Sequence, residues 1–522
     1  MALCGPLLNE SVAFQPSLLL NDSSQLRAEI HALLRSNTLP EDTACFRRVI
    51  HEAPSELARY DTEIDRVKSI LDGLTSDRAT LAACADTCRS VFAPVRRLPS
   101  ELLVEIFEAC APLSAVEVND TDTAAEELDR LNMRYLLQLS QVCSYWRVIA
   151  MRTTRLWSWV TADTTLWTDS ILSQTGYLDR LETCLERGGT HPLTLNVIVK
   201  IDHPDERQIL EALVKQAPRW RDIYLCCQLE SFASVITDNN NENGEQLPLL
   251  ERLHICAHGQ SGIDINFFEG ASRLKDVVFD GRVSGIPSLP WSQLQYFRYR
   301  DDLGGPKDVF VALSLLGRLP AGTKFSLSLN IADTELTDLP PIVSDVSDFG
   351  LGLMVNTDGD QATEALGKVL KALTLPHLKV IDFERDWYKP APHWNNIEFL
   401  AFASRSSFHT NLTELGIHIV ISDEELLQCL AALPLLTDLG ISDCSGRKQN
   451  ILITDNLLRR LTWSADSNEG CLVPKLHYIF LTSLFKFSDD AFLDFVLSRL
   501  APGRTNATDK RPEPFQARGL VV

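Results

Sequence analysis

Eight times between residues 220 and 481 the chain sets an apolar anchor, skips two positions, and places two apolar residues separated by one. The copies are Trp220-Ile223-Leu225, Leu250-Leu253-Ile255, Leu274-Val277-Phe279, Leu294-Phe297-Tyr299, Leu378-Ile381-Phe383, Leu412-Leu415-Ile417, Leu436-Leu439-Ile441 and Leu476-Ile479-Leu481. Apolar residues two apart point to the same side of a strand, so each copy predicts a short strand with one buried face. In the long gap from Leu294 to Leu378, Leu327, Leu329 and Ile331 and then Leu351, Leu353 and Val355 alternate in the same way, as degenerate copies would. A unit this small cannot cover its own apolar face, so the copies must stack on one another.

Helical patterns fall between the copies, at residues 205–216, 362–373, 422–433 and 488–500. Ser422 with Glu425 forms a capping-box pattern that fixes one helix start. Strand, turn, helix and strand make one solenoid step, and these residues resemble the leucine-rich repeats that follow many F-boxes. The spacing is irregular and the asparagine that closes each turn in regular arrays is mostly absent, so the resemblance is to a divergent, fungal-style (basidiomycete) array. An ordinary α/β sheet is the other reading, and both predict parallel strands with helices outside. Side chains at the fourth and sixth positions after each anchor point away from the core. They are Tyr224, Cys226, His254, Cys256, Val278, Asp280, Arg298, Arg300, Asp382, Glu384, Gly416, His418, Gly440, Ser442, Phe480 and Thr482. A chemically mixed strip of this kind suits a protein target, with Tyr224, His254, Arg298, Arg300, Asp382, Glu384, His418 and Phe480 as the candidate contacts.

Upstream lie two short amphipathic patterns. Leu98 and Pro99 precede Ser100, after which Leu102, Leu103, Ile106 and Phe107 recur at helical spacing. Leu136, Leu139, Val142, Cys143 and Trp146 then recur at steps of three and four. Helices this short are marginal alone, and their apolar stripes need a cover. The order of residue types resembles an F-box: Leu98, Pro99, Leu102, Leu103, Ile106 and Phe107 match its first part, and Leu139, Ser140, Val142, Cys143 and Trp146 its second. The departure is an acidic insertion at 111–131, read as a surface excursion. The resemblance implies docking on a Skp-type adaptor, and through it on a cullin-RING ubiquitin ligase, by Leu98, Pro99, Leu102, Leu103, Ile106, Phe107, Leu139, Val142, Cys143 and Trp146. It implies a substrate receptor with no catalytic residues of its own, whose mechanism is proximity. A non-catalytic repeat scaffold whose F-box-like helices only cap the solenoid is the alternative.

From Leu57 to Val95 a heptad seam runs through Tyr60, Ile64, Val67, Leu71, Leu74, Leu81, Ala85, Cys88 and Phe92, broken by Arg78. Gly73 weakens the helix by about 1 kcal/mol relative to alanine. Such a helix either packs on the chain's own next domain or associates weakly with a second copy.

The 522 residues carry a net charge of -21, which argues against nucleic acid or an anionic membrane as partner. No stretch approaches the roughly 18 apolar residues needed to span a bilayer. Thirteen scattered cysteines without a paired spacing suggest a reducing compartment, hence an intracellular location, cytoplasmic or nuclear. His254, Cys256 and His258 alternate on one predicted strand, yet a fourth ligand is not evident, and neither a metal nor a cofactor is expected. Trp157, Trp159 and Trp167 crowd one segment, where packing explains them better than base stacking.

The expected class is therefore α + α/β: an N-terminal helical region and F-box helices, followed by an irregular leucine-rich-repeat-like α/β solenoid. The boundaries are 1–54 poorly patterned apart from a short helix at Ser24–Leu34, 55–96 the heptad helix, 97–161 the F-box-like domain, 162–500 the repeats, and 501–522 a disordered tail.

Overall fold

A computed structural model describes residues 14–15, 23–36, 42–110, 136, 138–164, 177–199, 205–238, 247–258, 266–301, 306–330, 336–354, 359–384, 392–442, 452–463, 471–482, 486–500 and 516–520. They cluster into two units, Met1–Leu102 and Leu103–Val522. The acidic insertion at 111–131 lies outside the described residues, as does Trp167.

In the first unit, helix α1 spans Ser23–Ser36 and helix α2 spans Ala44–Val91. At 48 residues α2 is about 72 Å long at 1.5 Å per residue. It corrects the expected start at residue 55. The helix begins at Ala44 and runs through Pro54, which forfeits one backbone N–H but does not end it. It also stops earlier than expected. Phe92 N–H returns to the Arg89 carbonyl at 3.0 Å, and Pro94–Arg97 form a 3-10 turn. Near its start Arg59 pairs with the buried Glu56 at 2.8 Å and lies over the Phe14 ring, which itself tilts against Tyr60.

The second unit is dominated by strands. They are β1 (Trp159–Asp163), β2 (Leu193–Ile198), β3 (Trp220–Gln228), β4 (Arg252–His258), β5 (Asp276–Asp280), β6 (Tyr296–Asp301), β7 (Lys324–Asn330), β8 (Ile342–Val343), β9 (Asp348–Met354), β10 (Leu373–Thr374), β11 (Val380–Glu384), β12 (Glu414–Ile417), β13 (Asp438–Ser442), β14 (Tyr478–Thr482) and β15 (Gln516–Leu520). All but β8 and β10 form one 13-stranded sheet, in which each strand lies beside the next in chain order. Every neighbouring pair is parallel. All eight copies lead into strands of this sheet, and the two degenerate copies supply β7 and β9. Two boundaries move. The sheet begins at β1, inside the stretch assigned to the F-box-like domain, and Gln516–Leu520, expected to be disordered, pairs with β14 as a final strand. A terminal strand offers unpaired N–H and C=O groups, which is what the edge of β14 gives those residues to bind.

The joints repeat as faithfully as the side chains. The Glu251 carbonyl accepts the N–H groups of both Lys275 and Asp276, and the Lys275 carbonyl those of Gln295 and Tyr296. Ser347, Lys379, Thr413 and Thr437 do the same for the following copies. Where asparagine is missing, hydroxyl groups span the joints: Thr323 donates to the Leu294 carbonyl, Thr413 to that of Lys379 and Thr437 to that of Thr413. Inside the sheet the anchors are buried, and Phe297, Phe325 and Phe349 stack ring on ring at 5.8 and 5.9 Å. Burial alternates along most strands, one face closed and the other half open, as in β5, β11 and β14.

Helices Glu206–Val214, Gly359–Ala372, Asp423–Ala431 and Asp489–Leu500 occupy the four expected stretches. The capping box is complete: Ser422 N–H donates to the Glu425 carboxylate at 3.0 Å, and Glu425 N–H to the Ser422 hydroxyl. Among the described residues no helix is long and apolar enough to cross a membrane.

Candidate functional site

Two surfaces merit attention, beginning with the paired short helices. Helix α3 spans Ser100–Cys110, and Ser100 is its first helical residue. Its apolar positions divide by face. Leu103 and Phe107 are 1% and 0% exposed, while Leu102 and Ile106 are 51% and 42% exposed. That division follows from the spacing, since residues one apart lie on different sides of a helix while 103 and 107, four apart, share one.

The second stripe is interrupted. Residues 138–142 are helical, Cys143 is extended, and helix α4 runs from Ser144 to Arg152. Cys143 is thus the N-cap of α4, its sulfur accepting the Trp146 N–H at 3.4 Å. Leu139 and Ile149 are buried, whereas Val142, Tyr145 and Val148 are exposed. Trp146 is half-buried with its ring tilted against Phe107 at 4.9 Å. Arg155 pairs with Glu108 at 2.9 Å, and Arg147 donates to the Ser140 carbonyl. Trp157, also buried, donates to the Ala150 carbonyl, which accounts for one of the clustered tryptophans as packing.

The candidate adaptor residues therefore separate into two groups. Leu103, Phe107 and Leu139 are interior side chains, and Cys143 is a cap. Leu103, Phe107 and Leu139 thus present almost no open surface, while Cys143 is half-buried. Leu102, Ile106 and Val142 are open to one, Pro99 is exposed, and Leu98 and Trp146 are half-buried. Tyr145 and Val148 were not among the residues expected from sequence, because neither belongs to the stripe that begins at Leu136.

The second surface is the half-open face of the sheet. Register places Tyr224, His254, Val278, Arg298, Ser326, Gly350, Asp382, Gly416, Gly440 and Phe480 in one row across the strands. His254 bonds Asp280 at 2.7 Å and meets the Tyr224 ring edge-on. In the middle of the face Arg298 approaches Glu384 at 3.8 Å, and the Ser326 hydroxyl donates to the same carboxylate at 2.8 Å. Arg298 reaches Glu384 across two intervening strands, and Ser326 across one, because the floor between them is small: a Cβ on Gly350 would stand 2.7 Å from the Glu384 carboxylate. His418 approaches Asp382 at 3.3 Å, over Gly416. Arg300 and Phe480 lie half-buried on β6 and β14.

Sequence reasoning missed a third row, one alternation earlier on the same face. It runs Asp222, Arg252, Asp276, Tyr296, Lys324, Asp348, Val380, Glu414, Asp438 and Tyr478. Buried Asp222 accepts from Arg252 at 2.6 Å and Arg221 at 3.0 Å. Burial alone would raise its pKa, yet these two guanidinium groups outweigh it and hold the carboxyl below the usual range. Asp276 and Glu414 shift upward, chiefly from burial. The signal was present in the charged residue two places after five of the eight anchors, at Asp222, Arg252, Asp276, Glu414 and Asp438.

Among the described residues no group of three metal-ligating side chains comes together. The described chemistry of the open face is ion pairing and hydrogen bonding, suited to recognition.

A family model described as F-box-like matches residues 95–163, a stretch containing α3, α4 and β1. No curated protein matches the chain. The molecule thus joins an F-box-like domain to a large parallel sheet. The F-box-like domain suggests a role in substrate recognition by a ubiquitin ligase.

Proposed function

We propose that the chain is a substrate receptor. The F-box-like helices would dock on a Skp-type adaptor of a cullin-RING ubiquitin ligase, while the repeats, stacked as an irregular solenoid, hold a protein target on their open face. The observation that carries this reading is the division of apolar side chains in α3, in the helical segment 138–142 and in α4. Leu102, Ile106, Val142, Tyr145 and Val148 are exposed on helices whose other faces are already buried. Exposed apolar residues on three short helical segments favour a protein partner. Strand order along the chain, with one face closed and the other lined by mixed polar and aromatic groups, supports the target-binding role of the sheet. Its action would be to raise the effective concentration of a target lysine near the charged ubiquitin carrier, without bond chemistry of its own.

The test is co-purification. Leu102→Asp with Ile106→Asp puts two charges where an apolar contact is required, and adaptor capture should fall at least about a hundredfold. Both positions are exposed, so the melting temperature should stay put. Undiminished capture would reject the assignment.

A further inference from the structure

We infer that α2 is one half of a parallel, in-register coiled coil with a second copy of this chain. Leu57, Ile64, Leu71, Arg78 and Ala85 occupy one heptad position of α2, and Tyr60, Val67, Leu74, Leu81 and Cys88 the other. The steps alternate three and four throughout, a period of 3.5. A straight helix with 3.6 residues per turn drifts away from such a stripe, so a sustained seven-residue repeat is matched only by supercoiling around another helix with the same repeat. A second copy supplies that repeat by identity.

The seam is exposed. Val67, Leu71, Leu74 and Leu81 are 50%, 61%, 56% and 71% exposed, and Ile70 beside them is open as well. Tyr60 lies under Phe14, which leaves the seam from Ile64 onward for a partner. That is about four heptads, enough for a two-stranded coil.

Within the seam from Ile64 onward, one flanking charge pair favours the parallel orientation. In a parallel pair the residue before one core layer meets the residue five places on in the other helix. Glu63 would then face Lys68 of the second copy, an opposite pair. Glu63 now bonds Arg66 on its own helix at 2.7 Å, and Lys68 stands 3.8 Å from Asp65, both exchangeable surface contacts. Arg78, the one charged core position, would meet Asp77 of the second copy beside its layer. A single charged core residue weakens a coil and fixes its register. With Ala85 and Cys88 also in the seam, the pair should be weak, with a dissociation constant of order micromolar.

Sedimentation equilibrium of the full chain at tens of micromolar should give twice the monomer mass. Leu71→Asp with Leu74→Asp should raise the dissociation constant at least about a hundredfold. Ser69→Asp with Ser76→Asp, on the far side of the same helix, should leave it unchanged and controls for helix loss. Circular dichroism of each variant checks that the helices persist. Orientation is read with the native cysteines: in a parallel register the two Cys88 residues share a layer, so diamide should yield a covalent dimer that Cys88→Ser abolishes. A monomer at these concentrations, or a dimer indifferent to the seam charges, overturns the inference. A dimer lost with the seam charges but never linked through Cys88 overturns the parallel register. Adaptor capture plays no part in any of these readings.

Discussion

On the closed face of the sheet, leucine, isoleucine, valine and phenylalanine disappear into the molecule; along α2, and on the outward sides of α3, the 138–142 segment and α4, the same residue types stand in solvent. Leu415, Leu439 and Phe325 are at most 2% exposed, against 61% for Leu71 and 60% for Val142. The difference lies in what covers a face. A strand of the sheet has a like strand on either side and a closed layer beneath, so its apolar side chains find cover within the chain. A single long helix, or two short ones, lack that supply, and their outward stripes remain for other molecules. Apolar residues in the first setting contribute stability, and those in the second contribute association.

That contrast can be broken by measurement. The largest effect on stability should come from Phe325→Ala, which removes the middle ring of the three-ring stack and should cost about 3–5 kcal/mol in chemical denaturation. Val142→Ala, by comparison, should change stability by less than about 0.5 kcal/mol. If the two costs were alike, the contrast between interior and surface would be false.

Asp222→Ala comes next, at about 1–3 kcal/mol, since it removes a buried carboxylate that accepts from Arg252 and Arg221, both of which can still reach water. Because the folded-state pKa of Asp222 lies below its unfolded value, its stabilisation is complete above about pH 4 and is lost as pH falls through the depressed value. The variant should therefore show a shallower loss of stability below about pH 4 than the parent chain. Asp276 and Glu414 act with the opposite sign: burial raises them, so protonation on acidification relieves a cost. A steeper acid slope in the variant would refute the pairing.

A smaller effect separates two glycines of the open face. A Cβ on Gly416 would collide with the Asp382 carboxylate, whereas at Gly440 the nearest atom is 3.7 Å away. Gly416→Ala should destabilise by about 1–2 kcal/mol and displace the Asp382–His418 contact, while Gly440→Ala should be neutral or slightly stabilising. Thermal melts of the pair decide it. Smallest of all, Gly73→Ala on α2 meets open space and should stabilise that helix by about 0.5–1 kcal/mol, visible as raised helicity on warming.

Much of this was legible in one dimension. The eight copies became strands because alternation with period two and a fixed anchor leave few other ways to bury those side chains. The F-box-like residues were legible as an ordered series of types. Their division into interior and surface was not, since Phe107 and Ile106 look alike until packing assigns one of them to Trp146. Nor was the role of Cys143 visible, as a cap depends on where the backbone leaves the helix. The start of α2 was misjudged because the seven-residue pattern begins only at Leu57, whereas the helix itself extends back to Ala44 without that pattern. The strand Gln516–Leu520 was misjudged because the composition of the tail from Pro502 onward reads as disordered, while its partner, the edge of β14, lies more than thirty residues earlier in the chain.

What the sequence determined alone was periodicity: which stretches are strands, which are helices, and which side of each is apolar. Only the tertiary structure decided which apolar sides are covered and which polar groups meet, as when Arg298 reaches Glu384 across two strands floored by serine and glycine. The reason is range. Periodicity is written by neighbours a few residues apart, whereas burial and ion pairing depend on residues brought together from dozens of positions away.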